Sequence, residues 1–153
     1  MDIDTLDGAV RTEVSTAYLL RQVAERLAIS LTQSLKPFKQ TTSAYRVLIA
    51  LTRNNPSSMR ELIEATLIVP STLSRTIDAL EKDGCVVCAP VEHDARALRV
   101  TLTDVGEQRL EAILPAAVAQ YEWSIQNIDE SDLQIMHETL KKMLANLKTS
   151  PIK

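Results

Sequence analysis

Apolar side chains recur along most of this chain at intervals of three and four residues, the spacing that places them on one face of an amphipathic helix. The pattern predicts a first long helix over residues 9–35, closed by Pro37, and a second helix over residues 42–53. The predicted buried side of the helix at 42–53 consists of Ala44, Val47, Leu48 and Leu51. The same pattern also predicts two helices between residues 104 and 147, the first of them capped by Thr103. The second begins near Asp129 or Glu130, and its apolar stripe consists of Leu133, Met136, Leu140, Met143, Leu144 and Leu147. The chain is therefore predicted to be mainly helical.

The central segment, residues 58–103, begins with two short helices. Ser58 and Glu61 form an S-x-x-E capping box, which satisfies free backbone N–H groups at the start of the first helix. The second helix has Pro70 in its opening turn, where a missing N–H costs nothing, and Gly84 is placed to end it. The predicted buried stripe of the second helix consists of Leu73, Ile77 and Leu80.

Two strand-like runs follow the second helix. Residues 85–91 are rich in β-branched and small side chains, and residues 97–102 alternate between two faces. Between the runs, residues 92–96 are predicted to form a compact polar turn. Helix–turn–helix plus hairpin is the layout of a winged helix. The predicted fold class is thus mainly α with a small β-hairpin wing, flanked by N- and C-terminal helices.

The second helix of the central segment carries side chains that suit contact with DNA. Its first two turns hold hydroxyls and one arginine, and acids begin only at Asp78. A helix that enters the major groove by its N-terminal end would present Ser71, Thr72, Ser74 and Arg75 to base edges and phosphates. A solvated Arg75 paired with Asp78 is the alternative interpretation.

Three further residues are candidates for the DNA contact. Arg96 lies on the predicted wing tip, from which an arginine can reach into the narrow, electronegative minor groove. Asp94 is placed to hold that arginine or to stiffen the turn. Arg60 is a plausible phosphate contact, but an ordinary surface arginine explains it equally well.

Four motifs in this order resemble the MarR/SlyA family of bacterial transcriptional regulators. They are P-S-T-L-S-R (70–75), L-E-K-D-G (80–84), D-A-R (94–96) and V-T-L-T-D-V-G (100–106). The resemblance covers nearly the whole chain and implies a homodimer with two winged-helix lobes on a palindromic operator. It further implies release by a small ligand or an oxidant. Cys88 stands where the family often has a basic residue.

The flanking helices offer more apolar surface than the small central lobe can cover. We therefore expect one domain over residues 1–153, with a winged-helix lobe at 42–103 and dimerisation helices at 9–35 and 104–147. A two-fold dimer would place its recognition helices about one DNA turn apart, roughly 34 Å. The predicted partners are a second copy of the chain and double-stranded DNA carrying an inverted repeat.

Charge weakens the DNA-binding interpretation. The net charge is −3, and residues 58–103 hold five Lys and Arg against seven Asp and Glu, where a basic domain would be the simple electrostatic signature. Apolar content of 45% with 24% charged residues is ordinary for a globular protein. No apolar run reaches membrane-span length, and the N-terminus has acids where a signal peptide has basic residues. We expect a cytoplasmic protein with no membrane partner.

Cys85 and Cys88 form a C-x-x-C, which in other contexts marks a redox switch or part of a zinc site. On a strand, their three-residue offset sends the two side chains to opposite faces, and no second cysteine pair completes a zinc site. Packing is the default role of Cys85. Two alternative functions remain open, a thiol-based redox sensor using these cysteines and a winged-helix interaction module without specific DNA binding.

Aromatic and basic side chains on the first two helices are candidates for binding a small aromatic or anionic effector. They are Tyr18, Arg21, Tyr45 and Arg46, although packing in a dimer core explains them equally well. The resemblance implies such a pocket. The sequence has no G-x-S-x-G, G-x-x-x-x-G-K or H-E-x-x-H motif, so no catalytic residue, metal site or cofactor is expected.

Overall fold

The computed structural model describes residues 8–91 and 94–149, and within them the side chains of residues 15–90 and 98–149. This part of the chain forms six α-helices and three strands. The helices are α1 (Gly8–Leu35), α2 (Thr42–Arg53), α3 (Met59–Thr66), α4 (Pro70–Lys82), α5 (Asp104–Ser124) and α6 (Glu130–Lys148), with a 3-10 turn at Lys36–Phe38. The strands are β1 (Ser57–Ser58), β2 (Val86–Val91) and β3 (Asp94–Leu102).

The three strands form an antiparallel sheet in the order β1–β3–β2. β2 and β3 make the hairpin, with Cys88 opposite Val100, and β1 adds Ser57 on the other side of Val100. The helix–turn–helix of α3 and α4 followed by this hairpin confirms the predicted winged helix. The predicted bounds of α1 and α2 agree with the structure to within one residue.

The chain divides into two compact units, Met1–Tyr121 and Glu122–Lys153. The hydrophobic core of the first unit lies where α2, α3, α4 and the sheet meet. The predicted apolar faces of α2 and α4 are buried in it, namely Ala44, Val47, Leu48, Leu51, Leu73, Ile77 and Leu80. α3 contributes Leu62, the sheet Val86, Val100 and Leu102, and α5 contributes Leu110.

Local hydrogen bonds set the ends of the helices at the predicted residues. The Ser58 backbone N–H donates to Glu61 Oε2 at 2.7 Å, and the Glu61 N–H donates to Ser58 Oγ at 3.2 Å, so the capping box is confirmed. Gly84 follows α4 with a φ of +73°, a left-handed conformation that favours glycine. At the start of α5, Thr103 Oγ1 accepts from the Gly106 N–H at 3.2 Å.

Gly106 also brings α5 close to the base of the hairpin. A Cβ at this position would lie 2.2 Å from the Cys85 carbonyl oxygen and 2.6 Å from Leu102 Cδ1. Only a residue without a side chain permits this close approach. The approach seats the first turn of α5 on the base of the hairpin.

The wing corrects one detail of the sequence prediction. Residues 92–96 were expected to form the turn, but β3 already begins at Asp94, which pairs with Val91. The register shifts between Pro90 and Val91, and backbone pairing continues past this irregularity, so Asp94 and Arg96 belong to the strand. The predicted roles of the Asp94 and Arg96 side chains lie outside the described side chains.

The second unit consists mainly of α6, which starts after Asp129 as predicted. No residue within α6 is buried, although its predicted apolar stripe includes Met136, Met143 and Leu144. Leu147, near its end, is 70% exposed. Over residues 8–91 and 94–149, no helix combines the length and the apolar character needed to cross a membrane.

Candidate nucleic-acid interface

The first two turns of α4 are the centre of the candidate interface. Ser71, Thr72, Ser74 and Arg75 are all exposed, whereas Leu73 between them is fully buried. Leu73 therefore anchors the start of the helix while its neighbours face solvent. Within the described side chains Arg75 makes no ion pair, so the alternative pairing with Asp78 is absent.

Two acids at the C-terminal end of α4, Glu81 and the C-cap residue Asp83, bond to neighbouring elements. Asp83 Oδ2 accepts from Arg109 Nη1 of α5 at 2.6 Å, and this hydrogen bond raises the pKa of Arg109. Glu81 Oε1 accepts from the Cys88 backbone N–H of β2 at 2.9 Å. These contacts fix the direction of α4 relative to the wing and to α5.

Several acids of the central segment are paired with other groups of the protein, so they do not oppose the approach of DNA as free charges would. Glu61 pairs with Arg99, Glu64 with Arg60 and Asp83 with Arg109. With Glu81 on the Cys88 N–H, four of the acids in residues 58–103 are directed at the protein itself. The segment as a whole has a negative net charge, but the exposed start of α4 does not, because that surface carries Arg75 and three hydroxyls.

Arg60 lies on α3 with its guanidinium 3.1 Å from Glu64 Oε1, and its side chain is 89% exposed. Exposed pairs of this spacing contribute only about 0.3–0.5 kcal/mol. Glu64 therefore holds Arg60 loosely, and a phosphate can compete for the guanidinium.

Arg99 on β3 is a residue that sequence reasoning missed. Its guanidinium donates to the Pro56 carbonyl at 3.3 Å and to Glu61 Oε2 at 3.1 Å. The pKa of Glu61 is lowered, first by the Ser58 backbone hydrogen bond and the Ser58 hydroxyl, and less by Arg99. Arg99 thereby ties the base of the wing to the capped start of α3. The sequence did offer one indication of a contact, because Arg99 lies on the polar side of the predicted alternating strand.

A groove of about 250 Å³ separates the start of α2 from α4. Arg75 and Thr72 line it from α4, and Lys39 and Gln40 line it from the segment before α2. Lys39 adopts a left-handed backbone conformation. The groove extends the basic and hydroxyl-bearing surface beyond α4.

Neither cysteine has the environment of a reactive thiolate. Cys85 is fully buried, and burial raises the pKa of its thiol. Burial and then the Glu81 carboxylate raise the pKa of Cys88 to about 11. Thiol reactivity needs the thiolate, so both shifts oppose a redox role. Among the described side chains, no three Cys, His, Asp or Glu residues are grouped as metal ligands would be.

The four residues proposed for effector binding separate into two pairs. On α1, the Arg21 guanidinium lies 5.9 Å from the centre of the Tyr18 ring and pairs with Glu25 at 3.2 Å. On α2, Tyr45 and Arg46 line a cavity of about 200 Å³ that extends to α3. Partial burial raises the pKa of the Tyr45 phenol.

A second cavity of about 390 Å³ lies among α1, α2 and α5. Its lining is Ala24, Leu27, Ala28, Leu31, Thr42, Arg46, Gln120 and Tyr121. Arg46 thus borders both cavities, whereas Tyr18 and Arg21 line neither of them.

Comparison with known proteins shows which family this chain is similar to. Residues 41–97 match the model of the MarR family. The chain is 30% identical over 128 residues to the HTH-type transcriptional repressor NicR of Pseudomonas putida, covering 83% of this chain and 80% of NicR. It is 27% identical over 146 residues to the HTH-type transcriptional repressor IacR of Pseudomonas putida, covering 95% of this chain and 87% of IacR.

The fold is also similar to a solved structure. The crystal structure of a MarR-family transcriptional regulator from Silicibacter pomeroyi matches with a TM-score of 0.80 and 28% sequence identity. The match covers 90% of this chain and 92% of that chain. The similarity therefore includes the long helices on either side of the winged helix.

Proposed function

The chain belongs to the MarR family of transcriptional regulators, and we propose that it is a repressor that binds an inverted-repeat operator as a homodimer and is released by a small ligand. The observation that carries this proposal is the start of α4, where four exposed polar residues surround a buried Leu73. NicR and IacR, which are both named as repressors, support the direction of regulation.

In this proposal α4 is the recognition helix. Arg75 hydrogen-bonds a base edge in the major groove, and the hydroxyls of Ser71, Thr72 and Ser74 contact bases or phosphates. Arg60 of α3 exchanges its weak pairing with Glu64 for a phosphate. Arg96, from the wing, enters the minor groove, with Asp94 steadying it.

The proposed homodimer interface is formed by residues 9–35 and 104–147, with residues 42–103 as the DNA-binding lobe. Its support is the exposure of apolar side chains on the flanking helices, whereas the apolar stripes of α2 and α4 in the lobe are buried. Among the exposed residues are Leu19, Val23 and Ile29 on α1 and Ile135, Leu144 and Leu147 on α6. Apolar faces of this extent need a partner surface, and a second copy supplies one.

The proposed ligand site is the pair of cavities that border Arg46. Regulators of this family bind DNA and small-molecule effectors. The larger cavity combines an apolar wall from α1 with the polar side chains of Thr42, Arg46 and Gln120. Tyr45 faces the smaller cavity. Tyr18 and Arg21 of α1 are proposed as further ligand contacts, although they line neither cavity.

The test is binding of the purified protein to the DNA upstream of its own coding sequence, measured across a salt series. We expect protected binding at an inverted repeat that weakens steeply as salt rises. Arg75→Ala should cost on the order of 1–3 kcal/mol of specific affinity. Arg60→Ala should instead weaken binding to all sequences and reduce the salt slope by about one.

Lys148→Ala, an exposed lysine at the end of α6 and outside the proposed interface and lobe, is the control and should leave operator affinity unchanged. Uniformly weak binding to every DNA sequence, from a folded dimer, would contradict operator recognition. That result would favour a winged-helix interaction module.

A further inference from the structure

The turn between α3 and α4 exposes two apolar side chains where the backbone favours other residues. Leu67 follows α3 in a left-handed conformation, with a φ of 53°, and is 78% exposed. Val69 is the N-cap residue of α4 and is 61% exposed. Glycine is the residue favoured at the first position, and serine, threonine, aspartate or asparagine at the second. The local structure therefore does not account for a leucine and a valine here.

The neighbours of these two residues fix the backbone of the turn. Thr66 and Ile68 are buried, and the Thr66 hydroxyl accepts a hydrogen bond from the Ile68 N–H at 3.3 Å. The same hydroxyl donates to the Leu62 carbonyl at 2.6 Å. Inward and outward side chains thus alternate along residues 66–69. Leu67 and Val69 are held outward, because their neighbours are anchored in the core.

The start of α4 presents hydrocarbon at its end. The Val69 carbonyl accepts from the N–H groups of Thr72 and Leu73, both at 3.0 Å, so this valine belongs to the first turn of the helix. Its side chain makes no capping hydrogen bond. Pro70 follows, is exposed and has no N–H to offer. Leu67, Val69 and Pro70 together form an apolar tip, which directly precedes the exposed hydroxyls of α4.

The major groove offers one kind of apolar group to such a tip. In the proposed complex α4 enters the groove by its N-terminal end, so the apolar tip lies against base edges. Those edges carry hydrogen-bond donors and acceptors, and the C5-methyl group of thymine is the apolar exception. Hydrocarbon over a donor or acceptor would take it from water without a partner, which is unfavourable. Contact with a methyl group instead buries apolar surface on both sides.

We propose that Val69 reads a thymine in each half-site of the operator through its C5-methyl group, with Leu67 beside it excluding water from the contact. This inference rests on the proposed operator function, to which it adds a residue that selects one base. An apolar N-cap and a left-handed leucine cost stability in the free protein, and the contact with DNA offsets that cost. Arg75 and the hydroxyls of α4 then read other positions of the half-site.

The test replaces thymine by deoxyuridine, which keeps the same base pairing but lacks the C5-methyl group. Each thymine of the footprinted operator is replaced in turn, in both half-sites together, and affinity is measured by fluorescence anisotropy. For the unaltered protein, we expect one position to weaken binding about fourfold per half-site, the factor that corresponds to one methyl group, and on the order of 15-fold per dimer. Replacement at the other positions should change affinity less than about twofold.

Substitutions of Val69 assign the effect to this side chain. Val69→Ser removes both methyl groups and supplies a favoured N-cap, so it should unfold at the same or a higher temperature than the unaltered protein. We expect this variant to bind the thymine and deoxyuridine operators equally well. Val69→Thr keeps one methyl group and should retain part of the difference. Val87→Ser, at an exposed valine of β2 in the same lobe, is the matched control and should keep the full preference for thymine.

The outcomes separate this inference from the proposed function. Failure of the unaltered protein to bind any inverted repeat contradicts the operator function itself. Operator binding that deoxyuridine leaves unchanged at every position overturns the methyl contact but not the DNA-binding function. A preference for thymine that persists undiminished in folded Val69→Ser overturns the role of Val69, since another side chain must then contact the methyl group.

Discussion

Helix α4 of the winged-helix lobe and helix α6 of the flanking segment have the same apolar spacing but opposite burial. In α4, each residue of the predicted stripe is buried, and Leu73 is fully so. In α6, the equivalent stripe contains no buried residue, and Leu147 is 70% exposed. The spacing of apolar residues thus shows that a helix face needs a partner, but it does not show whether that partner belongs to the same chain.

The largest effect that would test this contrast is the loss of a core side chain from the lobe. Leu73→Ala should lower the free energy of unfolding by about 2–5 kcal/mol, because it leaves a cavity beneath α4. Chemical denaturation at several protein concentrations measures this change. Leu19→Ala on α1, where the side chain is 57% exposed, is the matched control.

The two leucine variants should differ in their dependence on protein concentration. We expect Leu73→Ala to be destabilised by the same amount at every concentration, and Leu19→Ala only through the part that dimer formation adds. Equal, concentration-independent losses in both variants would show that the exposed face of α1 is packed within its own chain.

A smaller effect is expected from a charge placed on α6. Leu144→Glu should raise the dimer dissociation constant at least tenfold, equivalent to about 1.4 kcal/mol, since it puts a carboxylate into the proposed apolar interface. Sedimentation velocity over a concentration series measures the constant. Lys142→Glu, an exposed neighbour on the same helix, should have little effect. An unchanged dimer in Leu144→Glu would place the interface elsewhere.

The smallest effect is expected at the ion pair between Glu61 of α3 and Arg99 of β3. Glu61→Gln keeps a side chain able to cap α3 but removes the negative charge that pairs with Arg99. The folded-state pKa of Glu61 lies below its usual value of 4.5, so its charge stabilises the fold above that pH. This stabilisation is lost as the pH falls through the folded-state pKa.

Glu61→Gln should therefore be less stable than the unaltered protein at pH 7, and the difference should narrow as the pH falls below about 4.5. Thermal unfolding of both proteins between about pH 3 and about pH 7 measures this difference in stability, because ordinary carboxylate pKa values of about 4 lie within that range. A gap that stays constant with pH would mean that Glu61 acts only through its shape.

Most of the fold and part of the candidate site follow from local sequence. The capping box at Ser58, Pro70 at the start of α4 and Gly84 after it define short-range hydrogen bonds and backbone conformations, and the structure confirms all three. The exposed face of α4 followed from the position of its apolar stripe. The wing was less predictable, because β3 begins at Asp94, within the residues expected to form the turn.

Only the tertiary structure decided which charged groups meet. Arg99 reaches Glu61, Arg109 reaches Asp83 and Arg46 reaches the Thr66 carbonyl, and these partners are separated by 38, 26 and 20 residues in sequence. The sequence by itself determined the helices, their ends and the polar face of α4, because those depend on neighbours within one or two turns. The internal pairing of the acids and the hydrogen bond from Arg46 to the Thr66 carbonyl depend on how separate elements pack, which helical spacing and capping do not specify.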